Sequence, residues 1–100
     1  MILGLDVSTS ITGYTIFDGD KLILNGAWDT RKYKDFFKKA EFVSEGLREI
    51  YAQYGKEIEA VYIEQSLQSF RSGFSSAKTL STLSRFNGIV SWIIYEHFGI

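Results

Sequence analysis

The central part of the sequence changes from the short apolar runs of β-strands to the spacing of an amphipathic helix. Between Tyr33 and Tyr54, large apolar side chains recur at alternating intervals of three and four residues, and most charged side chains fall between them. This spacing places the apolar side chains on one face of an α-helix, and Gly55 follows as a stop signal. A strand that is reached through a helix is expected to run parallel to an earlier strand. The pattern therefore predicts a helix packed on a sheet that contains a parallel pair.

Three apolar runs precede this helix and one follows it. Residues 1–7, 11–17 and 21–28 read as strands joined by short turns, and Asp18-Gly19-Asp20 is a hairpin signal because glycine tolerates a positive φ. These three strands predict an antiparallel meander. Residues 59–65 predict a fourth strand, parallel to one of them.

A second long helix is predicted from Ser75 or Ser76 to His97, and Gly99 ends it. Its last turns are apolar on most sides, which is typical of a helix at the centre of a core or an interface. The element order is then β-β-β-α-β-α, and an α/β domain with this order should continue with another strand. We therefore expect residues 1–100 to be the N-terminal portion of a single domain whose C-terminal strand and helix are missing.

The composition excludes several kinds of site. The sequence has no cysteine and one histidine, which rules out disulfides, thiolate zinc sites and a cysteine nucleophile and argues against an imidazole zinc site. His97, near a helix C-terminus, is expected to interact with the helix dipole. Nothing resembles a signal peptide or a bilayer-spanning stretch, so a cytoplasmic protein without a membrane partner is expected.

The net charge of −1 conceals two basic stretches. Between Gln65 and Tyr95 there is no acidic residue, while three basic residues occur there. The second stretch is interpreted as a solvated helix face, with tracking of phosphates as the alternative; its residues are Arg31, Lys32, Lys34, Lys38 and Lys39.

Two acidic residues each end an apolar strand. Asp6 precedes a Ser-Thr-Ser turn, and Glu64 ends the run VYIE. If the two strands are parallel neighbours, about 4.8 Å apart, the carboxylates repel each other unless a cation lies between them. Mg²⁺, with Mn²⁺ as a substitute, binds such oxygens, and two ions about 3.5–4 Å apart can hydrolyse a phosphodiester. The alternatives are that Asp6 makes turn hydrogen bonds and that Glu64 pairs with Arg71 or Lys78.

Three motifs, in this order, resemble those of the RuvC-like Holliday junction resolvases. They are ILGLD followed by TGYTIFD, then VYIEQS, then SGFSSAKTLSTLSRFNGIV. The resemblance implies an RNase H-like fold with a five-stranded sheet, a two-metal endonuclease and four-way junction DNA as substrate. Asp6 and Glu64 match the first two acids of the family. The remaining acids lie on a later helix in relatives, and Glu96 is in the wrong place for them, so the chain alone is expected to be inactive.

The loop that follows the fourth strand mixes aromatic, basic and hydroxyl side chains, which suit phosphates and unstacked bases. In RuvC-like enzymes an aromatic residue of this region engages the junction centre, so Phe70 or Phe74 is the candidate; the alternative is that both cover the core. A homodimer through the second helix is also expected, with contacts from Trp92 or nearby residues. Trp28 and Trp92 are both interpreted as core or interface residues. The predicted nucleic-acid contacts are Phe70, Arg71, Phe74, Ser75, Ser76, Lys78 and Arg85.

Other functions remain open. Actin-like and sugar-kinase ATPases also begin with a strand, an aspartate and a Ser/Thr-rich turn, but they usually carry a glycine where this chain has Ser8. A protein that binds branched DNA without cutting it is a non-enzymatic alternative. Phage-type resolvases and nucleases that process ribosomal RNA precursors are relatives with other substrates.

Overall fold

The structure, a computed structural model, describes residues 1–65 and 77–100, and among these it leaves the side chains of residues 65 and 77–80 undescribed. The described elements follow the predicted order β-β-β-α-β-α, and the α/β class is confirmed. They are β1 (Ile2–Val7), β2 (Ile11–Asp18), β3 (Lys21–Asp29), α1 (Phe36–Tyr54), β4 (Ala60–Gln65) and α2 (Ala77–Phe98).

The four strands form one mixed sheet in the order β3-β2-β1-β4. β1 pairs with β2 and β2 with β3 in antiparallel fashion, whereas β1 and β4 are parallel. Gly19 adopts a φ of 61° in the turn between β2 and β3, as the hairpin signal predicted. The meander with a parallel fourth strand is therefore confirmed.

The core lies on one face of this sheet. Leu3, Leu5 and Val7 alternate along β1 and are buried, while Ile2 and Asp6 point to the other face and are exposed. The buried side chains of both helices join the same core cluster. Within the described residues, the opposite face carries large apolar side chains in contact with solvent: Ile2, Phe17, Leu22 and Tyr62.

The bounds of both helices differ from the prediction. α1 begins at Phe36 rather than at Tyr33, because the Asp35 side chain accepts a hydrogen bond from the backbone N–H of Phe37 (3.4 Å) and caps the helix. α2 ends at Phe98, one residue after the predicted His97, and Gly99 follows it with a φ of 70°. The cap expected at Ser75 or Ser76 lies outside the described residues. Neither described helix is long and apolar enough to span a bilayer.

Gly46 brings α1 close to β3. A Cβ at this position would overlap the indole of Trp28, which is buried and stacks on Tyr14 with ring centroids 4.5 Å apart. Gly88 of α2 is the opposite case, since a Cβ there would meet no atom within 4 Å. The two helical glycines therefore differ in the space available for a side chain, whereas neither has a positive φ.

We expect Gly46→Ala to lower the free energy of unfolding relative to Gly88→Ala by about 1–3 kcal/mol, the usual cost of overpacking. Both variants gain about 1 kcal/mol of helix propensity, so this gain cancels in the comparison. Urea unfolding of the two variants, at a protein concentration low enough to disfavour a dimer, measures the difference. Equal stabilities would show that the indole moves aside without cost.

Candidate functional site

Asp6 and Glu64 lie side by side at one edge of the sheet. They are register partners in the parallel pair of β1 and β4, so the adjacency predicted from the sequence is confirmed. Both side chains are exposed, and both line a depression of about 360 Å³ on the uncovered face. Neighbouring strands are about 4.8 Å apart, which brings the two carboxylates within reach of a single cation.

The floor of this depression is made of small residues. Gly13 lies opposite Asp6 in the register, and a Cβ there would stand 3.9 Å from the Cβ of Asp6. Gly4 and Thr15 continue the floor, and the exposed Tyr62 stands beside it. The carboxylates are therefore open to solvent, with room above them for an ion and a phosphate group.

The described part of the chain supplies no partner for the two carboxylates. Among residues 1–65 and 77–100, no side chain or backbone group forms a hydrogen bond or ion pair with Asp6 or Glu64. Two neighbouring carboxylates suit a hard cation such as Mg²⁺, which uses one or two carboxylates and completes its shell with water and substrate phosphates. No group of three or more metal-binding side chains occurs in the described part of the chain. The donor set therefore fits Mg²⁺ as part of a larger site.

The turn after Asp6 is held by hydroxyl groups and not by its carboxylate. The Thr12 hydroxyl donates to the carbonyl oxygen of Ser8 (2.9 Å) and accepts from the Ser8 N–H (3.3 Å). The Ser8 hydroxyl accepts from the Ser10 N–H at 3.1 Å. The alternative that Asp6 serves the turn is thus wrong within the described residues, and its carboxylate remains available.

Thr30 and Lys39 bind the same turn from behind. The buried Thr30 hydroxyl lies 2.9 Å from the carbonyl oxygen of Thr9 and 3.1 Å from that of Ser10, and donates to them. The Lys39 ammonium donates to the carbonyl oxygens of Thr9 (2.8 Å) and Thr30 (2.9 Å). The prediction that Lys39 lies on a solvated helix face is therefore wrong, because the first turn of α1 passes beside the turn between β1 and β2.

The rest of the second basic stretch is exposed, but only Lys38 of it lies on the helix. Arg31 donates from Nη2 to one Asp29 oxygen (2.7 Å) and from Nε to the other (3.0 Å). Its hydrogen bonds lower the pKa of Asp29 from 3.8 to about 2. Lys32 lies 5.1 Å from the ring centroid of Tyr33, so most of these charges already have neighbours.

Of the residues predicted to contact nucleic acid, the structure describes the side chain of one, Arg85. Arg85 is exposed on α2, with its guanidinium carbon 5.1 Å from the ring centroid of Phe36. The side chains of the other predicted contacts lie outside the described residues: Phe70, Arg71, Phe74, Ser75, Ser76 and Lys78. The proposed alternative partners of Glu64, Arg71 and Lys78, are among them.

Three further predictions concern single side chains. His97 lies in the last turn of α2, where the predicted interaction with the helix dipole would place it, and its Nε2 lies 3.2 Å from the hydroxyl of Ser44 on α1. Trp28 is buried in the core, as expected. Trp92 is 61% exposed, so it is not a core residue.

Curated relatives agree with the motifs. The crossover junction endodeoxyribonuclease RuvC of Citrifermentans bemidjiense is 41% identical over 76 residues, which cover 69% of this chain and 46% of the relative. The same enzyme of Trichlorobacter lovleyi is 33% identical over 75 residues, covering 68% of this chain and 42% of the relative. Over about two thirds of its length, this chain is similar to RuvC.

The similarity of this chain to these enzymes is partial in length. The matched residues cover less than half of each relative. The RuvC of Geobacter metallireducens, for example, is 35% identical over 75 residues, which cover 46% of its length. No family model matches the chain, and no solved structure does. The relatives therefore support the nuclease family.

Proposed function

We propose that the chain is the N-terminal portion of an RNase H-like nuclease domain that cleaves four-way DNA junctions with Mg²⁺ or Mn²⁺ held by Asp6 and Glu64. The observation that carries this proposal is the register pairing of two exposed carboxylates at the ends of adjacent parallel strands. The names of the similar enzymes support junction DNA as the substrate.

In this mechanism, the two carboxylates supply the negative charge that binds the ions beside the scissile phosphate. Divalent ions, when bound, activate water and stabilise the charge on the leaving oxygen. Without them, Asp6 and Glu64 would repel the phosphate. The open floor formed by Gly4 and Gly13 lets the backbone of a nucleic acid approach. Further metal ligands would complete the site, since no group of three metal-binding side chains occurs among residues 1–65 and 77–100, and we expect residues 1–100 alone to be inactive.

The turn geometry argues against the ATPase alternative. In that reading, the hydroxyl and N–H groups of Ser8 and its neighbours would hold nucleotide phosphates. Here the Ser8 N–H already donates to the Thr12 hydroxyl, so this donor is not free for a phosphate.

We expect the full-length protein to cut a synthetic four-way DNA junction in the presence of Mg²⁺ or Mn²⁺ and to be inactive in EDTA. Gel analysis of labelled junctions measures this, with a linear duplex of the same sequence as the control substrate. Equal cleavage of a structured RNA would favour the RNA-processing alternative. Junction binding without any cleavage would favour the non-enzymatic one.

The exposed face of α2 supports a homodimer. Ser81, Arg85, Gly88, Trp92 and Tyr95 are all exposed and recur at intervals of four and three residues, which is the spacing of a helix-pairing seam. Gly88 leaves room for close approach, and a groove of about 420 Å³ runs along this seam; its lining is Phe36, Phe37, Arg85, Gly88, Ile89 and Trp92. A second copy is proposed as the partner because cutting two strands symmetrically needs two sites.

We expect Trp92→Ser to weaken this dimer by at least about 2 kcal/mol, or roughly 30-fold in dissociation constant, because tryptophan is a typical hot-spot residue of interfaces. Analytical ultracentrifugation of the full-length protein measures it. Leu22→Ser, at an apolar side chain that is 49% exposed on the sheet, is the control and should leave the dimer intact. A monomeric parent protein at micromolar concentration would contradict the dimer.

A further inference from the structure

Lys39 joins three separate parts of the chain through one ammonium group. It extends from the first turns of α1 and donates to Thr9, in the turn between β1 and β2, and to Thr30, just beyond β3. No carboxylate of the described residues forms an ion pair with it. Half-burying an ammonium carries a desolvation cost, which its hydrogen bonds to the two carbonyl oxygens offset.

The position of these carbonyl groups relates Lys39 to the acid pair. Thr9 follows Asp6 by three residues, and the intervening Val7 is fully buried. Only a short segment therefore connects the turn to Asp6 at the end of β1. Thr30 strengthens the same attachment, since its hydroxyl and N–H both reach the carbonyl oxygen of Ser10. The two residues thus hold the turn from the side opposite to the open depression.

We propose that Lys39 is a positioning residue of the nuclease site: it fixes the turn after Asp6 and so holds this carboxylate beside Glu64. The inference rests on the nuclease function proposed above. Groups that orient a metal ligand without touching the metal change metal affinity or activity by about 10–100-fold when they are removed. Lys39 would act in this way through the backbone of the turn.

Charge and position predict opposite changes, which makes the role testable. If Lys39 acted only through its positive charge, its removal would strengthen the binding of a divalent cation, because like charges repel. If it acts by positioning Asp6, its removal weakens the binding of the cation. The sign of the change therefore separates the two roles.

The experiment compares three variants of the full-length protein: Lys39→Met, Lys39→Arg and the control Lys38→Met. Lys38 is the neighbouring residue, and its ammonium lies on the surface 3.5 Å from Glu41. Mn²⁺ binding without DNA is followed by electron paramagnetic resonance, and junction cleavage gives kcat and KM. Lys39→Met should raise the Mn²⁺ dissociation constant about tenfold and lower kcat with little change in KM. Lys39→Arg should restore most of the Mn²⁺ affinity and most of kcat, and Lys38→Met should leave both quantities unchanged.

An unchanged or lower Mn²⁺ dissociation constant in Lys39→Met overturns the role of Lys39, even if its thermal stability falls. If this variant does not fold, Thr30→Val, which removes one hydroxyl from the same attachment, should raise the constant in the same direction, and no change would overturn the role. Failure of the parent protein to bind Mn²⁺ overturns the nuclease proposal itself. The two failures are therefore distinguishable.

Discussion

Asp6→Asn and Glu64→Gln, made separately in the full-length protein, should each reduce junction cleavage by at least about 10³-fold. A divalent ion contributes several kcal/mol to the stabilisation of charge in phosphodiester hydrolysis, and each 1.36 kcal/mol corresponds to a factor of ten in rate. Removing one of two adjacent carboxylates removes the charge that holds the ion. Junction binding should be retained, because neutralising an acid does not weaken contacts with phosphates. Single-turnover cleavage and gel-shift assays measure the two quantities.

The same variants should fold at least as well as the parent protein in metal-free buffer. Among the described residues, neither carboxylate has a hydrogen bond or ion pair to lose. Their register places like charges on neighbouring strands, and relieving such a pair contributes roughly 0.2–1 kcal/mol. We therefore expect an equal or slightly higher free energy of unfolding, together with the loss of any stabilisation by added Mn²⁺.

Glu59→Gln is the matched control for these variants. Glu59 is an exposed glutamate just before β4, at the end of the strand opposite to Glu64, and lies 3.9 Å from the N-terminal ammonium. Its cleavage rate should equal that of the parent protein. Loss of junction binding in Asp6→Asn and Glu64→Gln with folding intact, or cleavage at the parent rate in either, would contradict metal catalysis by this pair.

The adjacency of these two acids could be predicted from the sequence because it follows from local patterns. Short apolar runs gave the strands, Gly19 gave the hairpin, and the helical spacing before β4 gave a parallel connection. An acid at the end of each of two parallel neighbours must then lie at the same edge. Each step uses a rule that acts within one element or between consecutive elements.

The contacts of Lys39 could not be predicted in this way. Its acceptors are backbone carbonyl groups of residues 30 and 9 positions away in sequence, and every residue has such a group. The capping of α1 by Asp35, three residues later than the apolar spacing suggested, is part of the same difficulty. It places Lys39 in the first turns of α1, beside the turn between β1 and β2.

The exposure of Trp92 shows a second limit. Apolar spacing marks residues that avoid water, but it does not say whether the partner surface is in the same chain. The buried face of α2 includes Phe86, Val90 and Ile93, whereas Trp92 and Tyr95 are each 61% exposed. Both faces are apolar in the sequence, so only the packing on α1 and the sheet distinguishes them.

Phe86→Ala should cost about 3–5 kcal/mol of unfolding free energy, a large share of the 5–15 kcal/mol of a typical domain. The Phe86 side chain is fully buried, and its ring meets that of Phe36 edge to face with centroids 5.4 Å apart. Its removal leaves a cavity where α2 joins α1 and the sheet, and packed cores relax only partly around such a cavity. Urea unfolding measures the loss, which should appear as a lower midpoint with an unchanged slope.

Phe37→Ala is the control that separates burial from residue type. Phe37 is an exposed phenylalanine at the start of α1, 61% accessible, and its ring lies 5.3 Å from that of Phe36. At a protein concentration low enough to disfavour a dimer, its truncation should cost less than about 1 kcal/mol, since a surface substitution removes little buried area. A cost as large as that of Phe86→Ala would mean that this end of α1 is covered within the monomer. The groove beside Trp92 would then be occupied by the protein's own chain, and the proposed seam for a second copy would be lost with it.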